Sequence, residues 1–204
     1  MKLLTILYFL FAMLALPSQA NDAALYDPKP NKDSSFVRFL NVSGTAKSLL
    51  INGKKTNATM PLSVSSYIAL DSGTYNFTIE SISKEITFDS NKKLTIFIDD
   101  NSIRSVIQDK ANTKKKANIS FFNLSNIDLS LTTTKSNKTV FENVQANEIS
   151  TRNINPMKLD FSIKNNGETI ASTPLISLKR GQASDIIVFN TVLGNKITIS
   201  ESEW

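Results

Sequence analysis

Few residues of this 204-residue chain have the types and spacing that chemistry requires. Asp99-Asp100 is the one adjacent pair of carboxylates, and such a pair can run acid–base catalysis or hold calcium. Here it follows Ile96-Phe97-Ile98 and precedes Asn101-Ser102, a context that favours a turn. Histidine and cysteine are absent altogether. No Ser-His-Asp or Cys-His pair can form, no thiolate or imidazole can ligate zinc, and no unperturbed side chain titrates near neutrality. Serine and lysine are abundant, but none stands in a nucleophile-elbow context. A serine without an activating base is a hydroxyl at its ordinary pKa. No catalytic residue, metal ligand set or cofactor is expected.

The remaining chemistry is charge. The chain carries a net +5, yet residues 21–108 and 118–204 are each close to neutral, and the excess sits between them in DKANTKKKA, residues 109–117. There Lys110, Lys114, Lys115 and Lys116 face Asp109 alone. Adjacent like charges repel and stay hydrated, so a solvated interdomain linker accounts for them. A contact to an acidic polymer or partner protein accounts for them too, and salt would weaken it. Arg38 is a different case. It lies within an apolar strand, where a guanidinium needs a carboxylate partner, so a structural ion pair is expected.

These groups must be positioned by β-structure. Tyr75-Asn76-Phe77-Thr78-Ile79-Glu80 alternates apolar and polar residues, as does Leu159-Asp160-Phe161-Ser162-Ile163-Lys164, 84 positions later. FLNVS at 39–43 matches FFNLS at 121–125, 82 positions on. Two matched strands at nearly one offset indicate a tandem duplication with copies of about 85 residues. Leu94 to Ile98 and Ile186 to Phe189 are apolar runs that fit buried strands, and Ile197-Thr198-Ile199 closes the chain. Asn52-Gly53, Asp71-Ser72-Gly73 and Asn166-Gly167 mark turns. The fold expected is all-β, with two tandem small β-sandwich domains after a cleaved signal peptide. The boundaries are 1–20 for the signal peptide, 21–108 for the first sandwich, 109–117 for the basic linker and 118–204 for the second sandwich. Each copy is small and has no disulfide, so each should be marginal alone and some contact between them is expected.

The opening MKLLTILYFLFAMLALPSQA has the form of a secretory signal: a lysine, an apolar run too short to span a bilayer, and small residues before a cut after Ala20. Export without cysteine fits the bacterial periplasm. Six Asn-x-Ser/Thr triplets occur, at Asn41, Asn57, Asn76, Asn118, Asn123 and Asn137. In a chain this rich in Asn, Ser and Thr they read as accidents of composition.

Several short segments occur in an order that resembles the alginate biosynthesis protein AlgF family. These are Ala24-Leu25-Tyr26-Asp27-Pro28 with Pro30, Phe36-Val37-Arg38 with Asn41, the basic joint, Arg152 with Ile154-Asn155-Pro156, and Leu178-Lys179-Arg180-Gly181. Asp27 stands where the family usually has glycine. The resemblance implies a periplasmic accessory of exopolysaccharide O-acetylation without chemistry of its own. Its implied partners are a membrane-bound O-acyltransferase and periplasmic acetyltransferase-type proteins. Tyr26 and Pro28, in a proline-stiffened arm, and Arg152, Asn155 and Pro156, placed in a loop entering the Leu159 strand, are the candidate partner-binding residues. The arm can equally lie across its own first sandwich, and Arg152 can equally serve backbone hydrogen bonding. The alternative reading is a tandem carbohydrate-binding module that holds an acidic polysaccharide, with Tyr26, Tyr67 and Tyr75 available to sugar rings.

Overall fold

The computed structural model describes residues 31–109, 115–191 and 194–203. Residues 32–204 form one compact unit, and the described residues are strands and turns without a helix. In the first module the strands are β1 (Ser35–Asn41), β2 (Leu50–Ile51), β3 (Lys54–Lys55), β4 (Ser63–Val64), β5 (Ile68–Leu70), β6 (Gly73–Ile79), β7 (Ile82–Phe88), β8 (Lys92–Ile98) and β9 (Ile103–Asp109). The second has β10 (Ala117–Leu124), β11 (Leu129–Thr133), β12 (Thr139–Val144), β13 (Ile149–Ile154), β14 (Met157–Leu159), β15 (Phe161–Asn165), β16 (Glu168–Ser172), β17 (Ile176–Leu178), β18 (Gln182–Thr191) and β19 (Gly194–Glu203).

Each module is a sandwich, and the two share one topology. An inner sheet runs β4-β1-β8-β9 in the first, with β5 also on β1, and β13-β10-β18-β19 in the second. An outer sheet runs β3-β2-β6-β7 in the first and β12-β11-β15-β16 in the second. The central pair of each inner sheet is parallel, β1 with β8 and β10 with β18. Parallel pairs are found where both sheet faces are covered, and that is the case here. Val37 and Phe39 of β1, with Leu94, Ile96 and Ile98 of β8, point into the first module's core. Ile119, Phe121, Ile186 and Val188 fill the second. The alternate residues Leu40, Phe97, Phe122, Ile187 and Phe189 meet in a third core between the modules. The two sandwiches thus contribute four larger sheets, with β14 and β17 forming a fifth, two-stranded one, and strands that read as continuous apolar runs are those buried on both sides.

The repeated FLNVS and FFNLS have a mechanical meaning. Asn41 is fully buried; its Nδ2 donates to the carbonyls of Thr45 and Thr59 at 2.7 and 2.9 Å, and its Oδ1 accepts from the Ser43 N–H and hydroxyl. Asn123 does the same with the carbonyls of Ile127 and Val144, both at 2.8 Å, and with Ser125. Each asparagine turns the chain out of the central strand and ties it to the crossing loop. At these two of the six triplets, Asn-x-Ser is therefore a structural motif rather than an accident, and the buried amides are committed to the fold.

Other expectations needed revision. The Leu159–Lys164 strand is divided at Asp160 into β14, which pairs with β17, and β15, which pairs with β11 and β16. Arg152 lies on β13, opposite Ile119, and not in a loop. The closing strand is ten residues long. The Asn52-Gly53 and Asn166-Gly167 turns are as read, with φ of 48° and 81° and of 47° and 86°, as two-residue hairpins require.

Replacing Asn123 by Ala removes its buried hydrogen bonds to the Ile127, Val144 and Gln145 carbonyls and to the Ser125 N–H. This should cost about 2–3 kcal/mol, read as a lower urea midpoint at unchanged slope; Asn41→Ala should behave alike.

Candidate functional site

The expected ion pair of Arg38 is present and spans the modules. Arg38 Nη1 lies 2.7 Å from Asp185 Oδ2, with both side chains fully buried. Lys93 Nζ lies 2.8 Å from the same oxygen and is itself 4% exposed. Arg38 and Lys93 occupy neighbouring strands of the first module, while Asp185 comes from β18 of the second. The guanidinium also donates from Nε to Thr95 Oγ1 and from Nη1 to Ser200 Oγ. The Tyr67 and Phe122 rings lie 5.1 Å from its carbon. Two cations thus share one carboxylate inside the seam.

The electrostatics follow from that imbalance. Burial pushes the Asp185 carboxyl up, but Arg38, Lys93 and the hydrogen bonds from Lys93 and Ser120 outweigh it and hold the group below the usual carboxylate value. Lys93 moves the other way from a simple salt-bridged lysine. Burial brings it down to about 8, and Arg38 adds to the fall against the pull of Asp185. One carboxylate cannot fully offset two buried cations.

The pair also encodes which faces meet. Arg38 lies opposite Thr95 in the first inner sheet, and Ser120 opposite Asp185 in the second, so Arg38 corresponds to Ser120 and Thr95 to Asp185. Two first modules, placed face to face, would bury cations without a carboxylate. Buried charges stabilise little on balance, but leaving one unpaired is expensive. The cluster therefore favours the cross-module pairing over either self-pairing.

Elsewhere the sequence-predicted residues fall into place as follows. Asp99 closes the β8–β9 turn by accepting from the Asn101 N–H and the Ser102 hydroxyl, and Asp100 pairs with Lys47 at 3.0 Å. Among the described residues no group of acidic side chains could hold a metal ion. Tyr67 packs edge-on to Phe36, and Tyr75 stacks on Phe88 at 5.2 Å, so both rings serve the interior. Tyr26, Pro28, Lys110 and Lys114 lie outside the described residues. Arg152, exposed on β13, donates from Nη1 to the Val140 carbonyl at 2.9 Å. Lys115 and Lys116 are exposed and lead into β10. Lys116 Nζ donates to Asn155 Oδ1, and the Gly181 N–H donates to the Lys116 carbonyl. Segments 115–116, 152–156 and 178–181, far apart in sequence, meet at one end of the second module.

Sequence reasoning missed Asp185 and Lys93. An aspartate directly before the buried run Ile186–Phe189 was the available signal, since a carboxylate in that position must also find a partner.

A family model described as Alginate O-acetyl transferase AlgF matches residues 9–185. The chain belongs to the AlgF family. It is 28% identical over 173 residues to the alginate biosynthesis protein AlgF of Azotobacter vinelandii, covering 84% of this chain and 80% of that protein. With the AlgF of Pseudomonas syringae pv. tomato it shares 25% identity over 177 residues, covering 86% of this chain and 80% of that one. Two solved AlgF domains from P. aeruginosa are similar to parts of it. The C-terminal domain matches at 22% identity over 43% of this chain and 99% of that domain, with a TM-score of 0.40. The N-terminal domain matches at 20% over 39% and 99%, with a TM-score of 0.35. In this AlgF-family chain the segments around Arg38, Arg152 and Arg180 are three of the five that carried the sequence resemblance. The first closes the seam between modules, and the other two frame the basic end.

Two outcomes follow for the seam. Asp185→Asn strands two buried cations and should lose about 3–5 kcal/mol, whereas Lys93→Met keeps the Arg38 pair and should be neutral or stabilising. Lys93 binds its proton less tightly when folded, so the unfolded chain holds more protons between about pH 8 and 10.5 and stability rises across that window. Urea titrations at several pH values should show this rise in the parent and a smaller one in Lys93→Met.

Proposed function

We propose that this chain serves O-acetylation of an alginate-type exopolysaccharide as a non-catalytic periplasmic adaptor. It would link a membrane O-acyltransferase to periplasmic acetyltransferase-type proteins. The family match over residues 9–185 supports the pathway, and the apolar N-terminal run supports export. The observation that carries the adaptor role is the fate of the displaced ionisable groups. Lys93, brought to about 8, would make a usable base, yet it is buried between the modules and engaged with Asp185. Acyl transfer needs an activated nucleophile and donors for the developing oxyanion. With neither histidine nor cysteine in the chain, the exposed serines have no ordinary activating partner. What the fold does provide is one body of two locked modules with its outer surfaces open to partners. The family description's acetyl transfer is then a property of the assembly to which the chain contributes contacts.

The mature chain should bind the acetyltransferase-type protein or the O-acyltransferase in a calorimetric titration, and should not turn over an acetyl ester by itself. Cells lacking it should still make the polymer, but without acetyl groups. Ester turnover by the isolated chain, lost on replacing a surface serine, would overturn the non-catalytic reading.

A further inference from the structure

We propose that the end of the second module bearing Lys116, Lys158, Lys179 and Arg180 is the surface that holds an acidic face of a partner protein; this rests on the adaptor reading above. The two modules serve as controls for one another. Phe36 pairs with Lys93 in the first inner sheet and Asn118 with Ala183 in the second. Gly73 pairs with Phe88 in β6–β7, and Met157 with Leu178 in β14–β17. These registers match Ser34 with Lys116, Asp71 with Asn155, Thr74 with Lys158, Asp89 with Lys179 and Ser90 with Arg180.

A side-chain hydrogen bond and a positive-φ turn are kept at both ends although the residues differ. Ser34 Oγ donates to Asp71 Oδ1 where Lys116 Nζ donates to Asn155 Oδ1. Asn91, with φ of 59°, turns the chain into β8 as Gly181, with φ of 70°, turns it into β18. The first module builds this end with serine, threonine and aspartate, so the scaffold does not require lysine or arginine there. One position runs the other way: Lys92 corresponds to Gln182, and Lys92 is neutralised by Asp109 at 2.6 Å.

Lys116, Lys158, Lys179 and Arg180 are all exposed, and none takes part in the ion pairs formed among the described residues. Lys158 lies opposite Ser177, so Lys179 follows two residues, or about 7 Å, along the neighbouring strand. That spacing is within a Debye length, and the charges act as one field. Among the described residues no carboxylate pairs with any of the four. Leu175, just before β17, and Met157, at the start of β14, are 65% and 43% exposed. Apolar contacts beside cations suit a protein surface with acidic groups. A polysaccharide would be held against flat aromatic rings, and Tyr67 and Tyr75 are packed inward.

The test uses the full mature chain with Lys158→Glu, Lys179→Glu and Arg180→Glu together. A control of equal charge carries Lys54→Glu, Lys55→Glu and Lys135→Glu, and thermal unfolding shows that both fold. Binding is read by interferometry against the purified acetyltransferase-type protein and the detergent-solubilised O-acyltransferase, at about 50 and about 300 mM salt. The expected result is parent binding that weakens with salt, at least about tenfold weaker binding by the basic-end variant, and parent-like binding by the control. Equal binding by all three chains overturns the surface and leaves the adaptor role standing. No binding by the parent to either protein removes both. Saturable binding of a polyuronate oligomer that only the basic-end variant loses overturns the protein partner in favour of polymer. A salt-sensitive dimer of the parent, lost in that variant, overturns it in favour of a second copy of this chain.

Discussion

Asp185 answers two cations across a seam from which water is excluded, and the rest of the architecture is arranged around that fact. Its strand and three others must present apolar side chains on both faces, one toward a sandwich core and one toward the neighbouring module. Within the seam Arg38 is met by Thr95, Ser200 and two aromatic faces and Asp185 by Ser120, while Arg38 Nη2 and Asp185 Oδ1 are buried without a hydrogen-bond partner among the described residues. A carboxylate shared this way adds little net stability. Its physical contribution is discrimination, since an apolar seam of Leu, Phe and Ile alone would accept several registers and would pair a module with its own copy.

The duplication shows which features the fold demands and which it merely permits. Both copies keep the buried asparagine and its serine two residues on, because a carbonyl in the crossing loop and an N–H after the strand need a partner in each. Both keep a residue able to adopt positive φ ahead of the second parallel strand, asparagine in one and glycine in the other. The copies part company at the exposed end. There aspartate, serine and threonine of the first module are replaced by lysine and arginine in the second. A shared turn and a shared hydrogen bond, carried by residues of different charge, are what support the proposal of a recognition surface there.

Much of this was legible in the chain itself. Strand period 2 sorted Tyr75, Phe77 and Ile79 onto one face, the Asn-Gly pairs placed hairpins, and the matching FLNVS and FFNLS announced two copies. Arg38 in an apolar strand announced a buried partner of opposite sign. The missing histidine and cysteine removed whole classes of catalysis, and the order of short motifs pointed to the family. These are local or compositional properties, and a local pattern survives any rearrangement of the rest. Harder to read were the break at Asp160 and the strand position of Arg152. Both depend on which strand lies alongside rather than on the residue's own propensity.

By itself, then, the sequence determined the β class, the duplication, the turns and the side-chain faces, because alternation and turn chemistry act between residues a few positions apart. Only the tertiary structure decided that Asp185 is the partner of Lys93, 92 positions earlier, and that Lys116, Asn155 and Gly181 meet at one end. Alternation says which face a residue takes but not which sheet will cover it. That choice is made by long-range packing, where the free energy of excluding water from a whole face outweighs any preference written in a single strand.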